Sequence, residues 1–472
     1  MRAFTVDCRP LAVPAFRRMW AASVICAVGG SFSVVAVPTQ LFTVTGSSAA
    51  VGAAAGVSFA ALVAAAVWSG ALADRMDRRT MLLAAHLGLA LTYAALWLQA
   101  ALGGRSLPVL LVAVAFQGLT YGTVLTTTGA TVPRLVPAEL LPAANSLSSL
   151  VRYGGSILGP MLAGVLIPVA GLGTLYLFDS VALLAVVWAV AMLPPLPPLS
   201  PPPAAGTEGG PSGAGAAGSA SGGRGFFAAA RMPAGFRYLA ADRLLTAVLA
   251  VDLAAMVFGM PSALFPELAR HVFGGTAGGG PVTGLLYAAY PAGVFAAGLL
   301  SGTFTRARRH GALVAGAAVA WGIAVVVVGL AAELWIALAA LALGGAVNCV
   351  LSTFRTTIMQ ARTGDAVRGR VQGALTVVLV GGPQIANLLH GFVSANLQDG
   401  AGGLSGPRIV ICAGGLLTVV TVTAIAWAIP DLRRYIAAAP TRAPEAATRT
   451  SPDVAEDRVS QAPASHARAG RW

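Results

Sequence analysis

The chain has 472 residues and no lysine; all thirty of its basic residues are arginine. Without a primary amine there is neither a phosphate-binding P-loop lysine nor a Schiff-base lysine. An ATP-driven pump of the P-loop type is therefore excluded within this chain. Charge of either sign is scarce: 10% of residues are charged, against roughly 25% in soluble domains. A soluble chain of this length could not cover its surface with so few. The four cysteines (Cys8, Cys26, Cys349 and Cys412) are far apart, with no C-x-x-C and no metal-ligand spacing. That removes a disulfide framework and a zinc site, and neither metal nor cofactor is expected. The net charge of +13 sits in short arginine clusters between apolar runs, not in a basic stripe, so no nucleic-acid partner is implied.

What is abundant is apolar: 57% of residues are hydrophobic and the mean hydropathy is +0.78. A membrane helix needs ~20 mostly apolar residues. Twelve segments qualify: 19–43, 51–73, 80–102, 107–129, 147–169, 173–193, 244–266, 282–304, 311–331, 334–356, 371–395 and 407–429. The first run, from Met19 to about Thr45, exceeds a signal-peptide core of ~7–15 residues and reads as a retained span. The predicted fold is an all-α membrane protein with twelve transmembrane helices in two pseudo-symmetric six-helix halves.

The predicted domains are an N-terminal half (1–193), a cytoplasmic Pro/Gly-rich linker (194–235), a C-terminal half (236–435) and a disordered cytoplasmic tail (436–472). The linker opens with seven prolines between Pro194 and Pro203 and then turns Gly/Ser/Ala-rich, a composition that is extended at first and flexible after. With the N-terminus inside, 27 arginines fall in inside segments, or 20 without the tail. Only Arg105, Arg270 and Arg408 fall outside. The positive-inside rule then puts both termini in the cytoplasm. Helical spans point to a bacterial inner membrane, since outer-membrane proteins are barrels.

The halves repeat. Ala15-Phe16-Arg17 recurs as Gly235-Phe236-Arg237, Pro38 in "VPTQLF" as Pro261 in "MPSALF", and Ser69-Gly70 as Ser301-Gly302, in the same order. A parallel 6+6 repeat around a linker is a transporter plan, with the substrate site between the halves near the midplane.

Between spans 2 and 3 lies Gly70-Ala71-Leu72-Ala73-Asp74-Arg75-Met76-Asp77-Arg78-Arg79. It resembles the major facilitator superfamily signature G-x-x-x-D-[RK]-x-G-[RK]-[RK], with Asp77 where the pattern has Gly. The resemblance implies a cytoplasmic gating motif carried by Gly70, Asp74, Arg75, Arg78 and Arg79. The second-half copy, Ser301 to His310, keeps Arg306, Arg308 and Arg309 but has no acid. Span 5 carries Gly155, Gly159, Pro160 and Gly164, which looks like the antiporter pattern G-x-x-x-G-P-x-x-G-G with Ala163 for one Gly. Small residues at that spacing also let helices approach closely. "PAFRRMW", "AGFRYLAADRLL", "GLLYAAYPAGVFAAGLLSG" and "DLRRY" are similar to segments of the enterobactin-exporter-like subgroup. The resemblance runs from about Pro14 to Tyr435 and implies export of a small molecule, a siderophore being the subgroup's best-known cargo.

An acid inside a span costs about 2.5–3.5 kcal/mol at the helix centre, which makes each one a functional candidate. Asp179 in span 6 and Asp252 in span 7 are the two such carboxylates. The resemblance puts span 7 on the central cavity, so Asp252 is the better placed for proton coupling; a structural acid paired with a neighbouring donor is the alternative. Gln117 and Tyr121 in span 4 and Asn348 in span 10 offer polar groups to the cavity, and Arg152 and Arg355 sit at the inner mouth. His86 and His390 read as packing or capping residues. Span 4 lacks the arginine that many superfamily proton antiporters carry there. Asp252 favours neutral or cationic amphipaths, whereas an acidic siderophore would want Arg152 or Arg355.

The reading is a monomeric transporter in the lipid bilayer, not an enzyme. It exports a siderophore or drug-like small molecule by alternating access, with the proton gradient as energy source. An importer of a small metabolite is the alternative. A membrane-embedded enzyme or sensor is disfavoured, because the sequence has no HExxH, no GxSxG and no close His/Cys cluster.

Overall fold

The computed structural model describes residues 8–29, 31–73, 76–137, 140–195, 237–275, 279–300, 304, 307–363, 365–397 and 405–436. Most of the predicted linker, nearly all of the tail, and Asp74 and Arg75 of the signature lie outside these residues. The first half contains α1 (Pro14–Gly29), α2 (Ser33–Thr45), α3 (Ser48–Ala73), α4 (Arg78–Ala101), α5 (Leu107–Leu135) and α6 (Leu141–Ala191). The second contains α7 (Arg243–Gly259), α8 (Phe265–His271), α9 (Pro281–Leu299), α10 (His310–Leu330), α11 (Leu334–Arg362), α12 (Asp365–Asn396), α13 (Gly406–Ala428) and the short α14 (Pro430–Arg434).

Among the described residues, nine helices are long and apolar enough to cross a membrane. Their outward faces carry exposed Leu, Val and Ile, and exposed tryptophans stand near helix ends: Trp68, Trp188, Trp335 and Trp427. That is where amphipathic rings settle at a membrane–water boundary. The chain is a multi-pass membrane protein.

Four expected spans depart from a plain helix. Span 1 is broken into α1 and α2 near Gly29, where the sequence runs Gly-Gly-Ser. Spans 5 and 6 run together as α6, bent at Gly171 with φ 77° and ψ 160°. Only glycine adopts that backbone at little steric cost, so this residue turns the chain back into the membrane. Span 7 breaks at Met260–Pro261, and a 3₁₀ turn (Ser262–Leu264) leads into α8.

Packing within the halves repeats as the sequence does. A Cβ on Gly118 of α5 would strike the Ser58 carbonyl of α3, and one on Gly345 of α11 would strike the Tyr290 carbonyl of α9. Both are backbone-to-backbone crossings of the kind small residues permit. The hydrophobic cores differ, however. The second half has one contiguous buried cluster, including Val248, Val314, Trp321, Leu341 and Ile358. The first half, among the described residues, divides its core into four smaller clusters.

Candidate transport site

Two glycine crossings join the halves at one end of the molecule. On α3 and α12, a Cβ on Gly52 would lie 2.7 Å from the Asn387 carbonyl, and Gly391 sits against the Ser48 carbonyl. On α6 and α9, a Cβ on Gly164 would lie 2.9 Å from the Gly284 Cα, and Gly284 sits against the Pro160 carbonyl. Polar contacts close the same end. Ser48 and Ser394 donate to Glu267 of α8, and the Phe42 and His271 rings meet edge-on at 6.3 Å. Glu267 lies one residue beyond the predicted span 7, and hydropathy alone passes over it. The signal for it is the apolar run that continues around it, "ALFPELARHVF".

A cavity of about 220 Å³ lies between the halves, lined among others by Ser33, Pro38, Gln117, Ser262, Tyr287, Gln384 and Asn387. The broken span 7 is made polar here, and its free groups are satisfied. Asn387 accepts from the Ser262 hydroxyl (2.7 Å) and the Ala263 N–H (2.9 Å), and Tyr287 donates to the Ser262 carbonyl at 3.0 Å. His390 Nδ1 lies 3.1 Å from the carbonyl of Met260, at the C-terminal end of α7, whereas the buried His86 Nδ1 lies 2.8 Å from that of Leu82, one turn back in its own helix. A second cavity of about 360 Å³ lies entirely within the first half. Phe16, Trp20, Leu82 and His86 line it, together with the exposed Tyr121 and Arg152.

The two intramembrane acids have different company. Asp252 is 1% exposed, and Oδ1 accepts from Arg355 Nη1 at 2.6 Å; Arg355 itself is 8% exposed. The sequence places Arg355 at the inner mouth, but the packing of α11 against α7 withdraws it from solvent. Breaking that pair would leave a buried charge unmatched. Among the described residues, Asp252 Oδ2 has no hydrogen-bond partner. Tyr290 lies close to both charges, with Asn348 against its hydroxyl.

Asp179 is 0% exposed and has no ion pair among the described residues. Oδ1 accepts from the Phe32 N–H at 3.2 Å, and Oδ2 from the Ser33 N–H at 2.7 Å and the Ser33 hydroxyl. These are the first, otherwise unsatisfied donors of α2, so a side chain of α6 caps a helix of the broken span 1. Gln117 donates to the Tyr93 hydroxyl at 3.1 Å, and that hydroxyl lies beside Ser33. Gln117, Tyr121 and Asn348 therefore belong to three different environments.

The two sequence motifs resolve into packing roles where they are described. A Cβ on Gly155 would lie 2.7 Å from the Ala27 carbonyl of α1, and Gly159 packs on Ser31. With Pro160 and Gly164 against α9, the span 5 motif is both an internal contact and half of an inter-half seam. Asp77 accepts from the Arg79 N–H at 2.8 Å as the N-cap of α4, and Arg79 donates to the Ala191 carbonyl at the end of α6. Gly70 lies in the last turn of α3, and Arg78 opens α4.

The family model "Major Facilitator Superfamily" matches residues 19–386. The chain belongs to the major facilitator superfamily. It is similar to the enterobactin exporter EntS of Citrobacter koseri, with 28% identity over 426 residues covering 89% of this chain and 93% of that protein. Its fold is similar to that of the nucleoside transporter NupG (TM-score 0.64, 13% identity, 88% of this chain and 98% of that one). It is also similar to that of a bacterial homologue of the human lysosomal transporter Spinster (TM-score 0.67, 14% identity, 92% and 100%). This member is thus a secondary transporter by family.

Proposed function

We propose that this transporter exports a small amphipathic molecule, a siderophore or drug-like compound, across a bacterial inner membrane in exchange for protons. The observation that carries the reading is a polar cavity between two halves whose glycine crossings seal one end. The arginine distribution supports that end as the outer one, with the termini cytoplasmic. Alternating access then requires the α3–α12 and α6–α9 seams to part while the other end closes. The similarity to enterobactin exporters supports export and a siderophore cargo.

The test uses inverted membrane vesicles with an acid interior, following lumenal pH on adding a catecholate siderophore or a lipophilic cation. Proton efflux with one of these cargos supports antiport and identifies the cargo class. Absence of efflux with both, together with accumulation in uptake assays on whole cells, would replace export by import. Asp252→Asn, measured alongside, reports whether the ion-paired acid takes part.

A further inference from the structure

We infer that Asp179 is the proton-carrying acid of this transporter, and that its protonation acts by loosening the N-terminus of α2. This deepens the proposed function and rests on it for its physiological meaning. The argument starts from what each buried acid would leave behind. A proton arriving on Asp252 displaces Arg355, which lies 2.6 Å away and is itself buried, and strands an arginine charge with no acidic partner among the described residues. A proton arriving on Asp179 strands no charge, because its partners are two backbone amides and a serine hydroxyl.

The chemistry of the cap supplies the coupling. A carboxylate accepts on both oxygens and suits a helix N-terminus, where the free N–H groups and the dipole favour a negative charge. A carboxylic acid turns one oxygen into a donor facing a backbone amide that can only donate, and the charge that matched the helix end is gone. The amide that faced the protonated oxygen then loses its acceptor, and the clamp that this side chain makes between α6 and α2 is weakened. α2 is well placed to transmit this: Ser33, Val34, Val37, Pro38 and Leu41 line the cavity between the halves, and Phe42 at its other end touches His271 of the second half.

The site also has a route to the cavity. Ser33 and Gln117 both line it, Ser33 bonds Asp179 directly, and Tyr93 joins Gln117 by the 3.1 Å bond and lies beside Ser33. The titratable groups facing Asp179 are Cys26 of α1, Tyr93 of α4 and Tyr176 of α6. All three are neutral in their protonated forms. The polar side chains of α2 and α5 nearby, Ser33, Gln40 and Gln117, do not titrate.

The experiment uses the full chain in nanodiscs and needs no cargo, so its failure is distinct from failure of the transport reading. Infrared difference spectra between neutral and acid pH follow the carbonyl stretch of a protonated carboxylic acid. Hydrogen exchange, corrected for intrinsic pH dependence, follows the amides of residues 32–36. In the wild type, acid is expected to bring in the carboxylic acid band and raise exchange at those amides at least about tenfold. Asp179→Asn removes both responses, and Asp252→Asn keeps both. If wild-type protection at 32–36 is unchanged across the range, the inference is overturned without any variant. A band that survives in Asp179→Asn, or vanishes in Asp252→Asn, would also overturn it. Asp179→Glu, which keeps the carboxyl, restores the band and so separates titration from a purely structural role.

Discussion

The two halves repeat the same helix order and the same glycine–carbonyl crossings, yet they handle buried polarity in opposite ways. The second half surrounds one contiguous core and neutralises its acid with a full opposite charge. The first half breaks its core into smaller clusters, holds a cavity inside the bundle, and satisfies its acid with the end of a broken helix. A core with a single centre moves as one piece, whereas a helix held by a carboxyl cap can be released. If Asp179 acts as inferred above, the second half is the rigid one and the internal hinge, between α1 and α2, belongs to the first.

The largest test of that contrast removes one member of the ion pair. Arg355→Met leaves Asp252 as an orphaned buried charge and is expected to destabilise by about 3–5 kcal/mol, whereas Asp252→Leu with Arg355→Met recovers most of the loss. Thermal melting in detergent of the two singles and the double closes the cycle. Asp179→Asn orphans no charge and should lower the melting temperature far less than Arg355→Met. Equal losses at the two sites would erase the distinction between the halves.

Next in size is the seam between the halves. Gly284→Leu must push into the Pro160 carbonyl, and overpacking of this kind costs about 1–3 kcal/mol in the sealed state. That shifts the closed population by roughly five- to a hundred-and-fiftyfold. Transport is expected to fall accordingly, while a cysteine pair across α3 and α12 cross-links less. A Cβ on Gly298, on the same helix, would meet nothing within 4 Å, so Gly298→Leu should leave both readouts within experimental error.

Much of this arrangement was legible in the sequence. The apolar runs marked the all-helical membrane architecture, because lipid imposes a minimum length on each span, and nine helices of that length are found among the described residues. The ordered matches between the halves gave the repeat, and the G-x-x-x-G-P pattern gave a close helix contact around Gly155 and Gly159. What pattern alone could not give was company. That Asp252 meets Arg355, 103 residues away, depends on how α7 and α11 pack, and no spacing in the sequence distinguishes a paired acid from a free one. Asp179 is the sharper case. Its partners are backbone amides at Phe32 and Ser33, and a backbone donor has no residue type to recognise. Glu267 escapes for a simpler reason: a hydropathy boundary drawn at 266 puts a half-buried acid outside the membrane segment.

A smaller effect distinguishes the halves through single hydrogen bonds. Tyr176 is fully buried and donates to Gln40 of α2 at 2.6 Å. Tyr176→Phe leaves the Gln40 acceptor unmet, at an expected cost of about 1–3 kcal/mol. Because the bond ties α6 to α2, the loss should appear as faster amide exchange in α2 more than in α10. Uniform acceleration across both halves would mean that the first half unfolds as one cooperative unit and has no hinge of its own.

The smallest expected effect lies at Asp77, where the signature departs from its pattern. As N-cap of α4, the carboxyl accepts from the Arg79 N–H, and an Ala there costs about 1 kcal/mol, whereas a Gly costs only a few tenths. A capping role therefore predicts that Asp77→Gly, which restores the superfamily pattern, is nearly neutral in melting temperature and that Asp77→Ala is measurably worse. A gating role predicts the reverse emphasis: both substitutions remove the same charge, so both should change transport equally whatever they do to stability. Transport that tracks the Ala–Gly difference places Asp77 with the helix ends, alongside Asp179, which caps α2 from α6. Transport that falls equally in both variants places it with the moving parts between the halves.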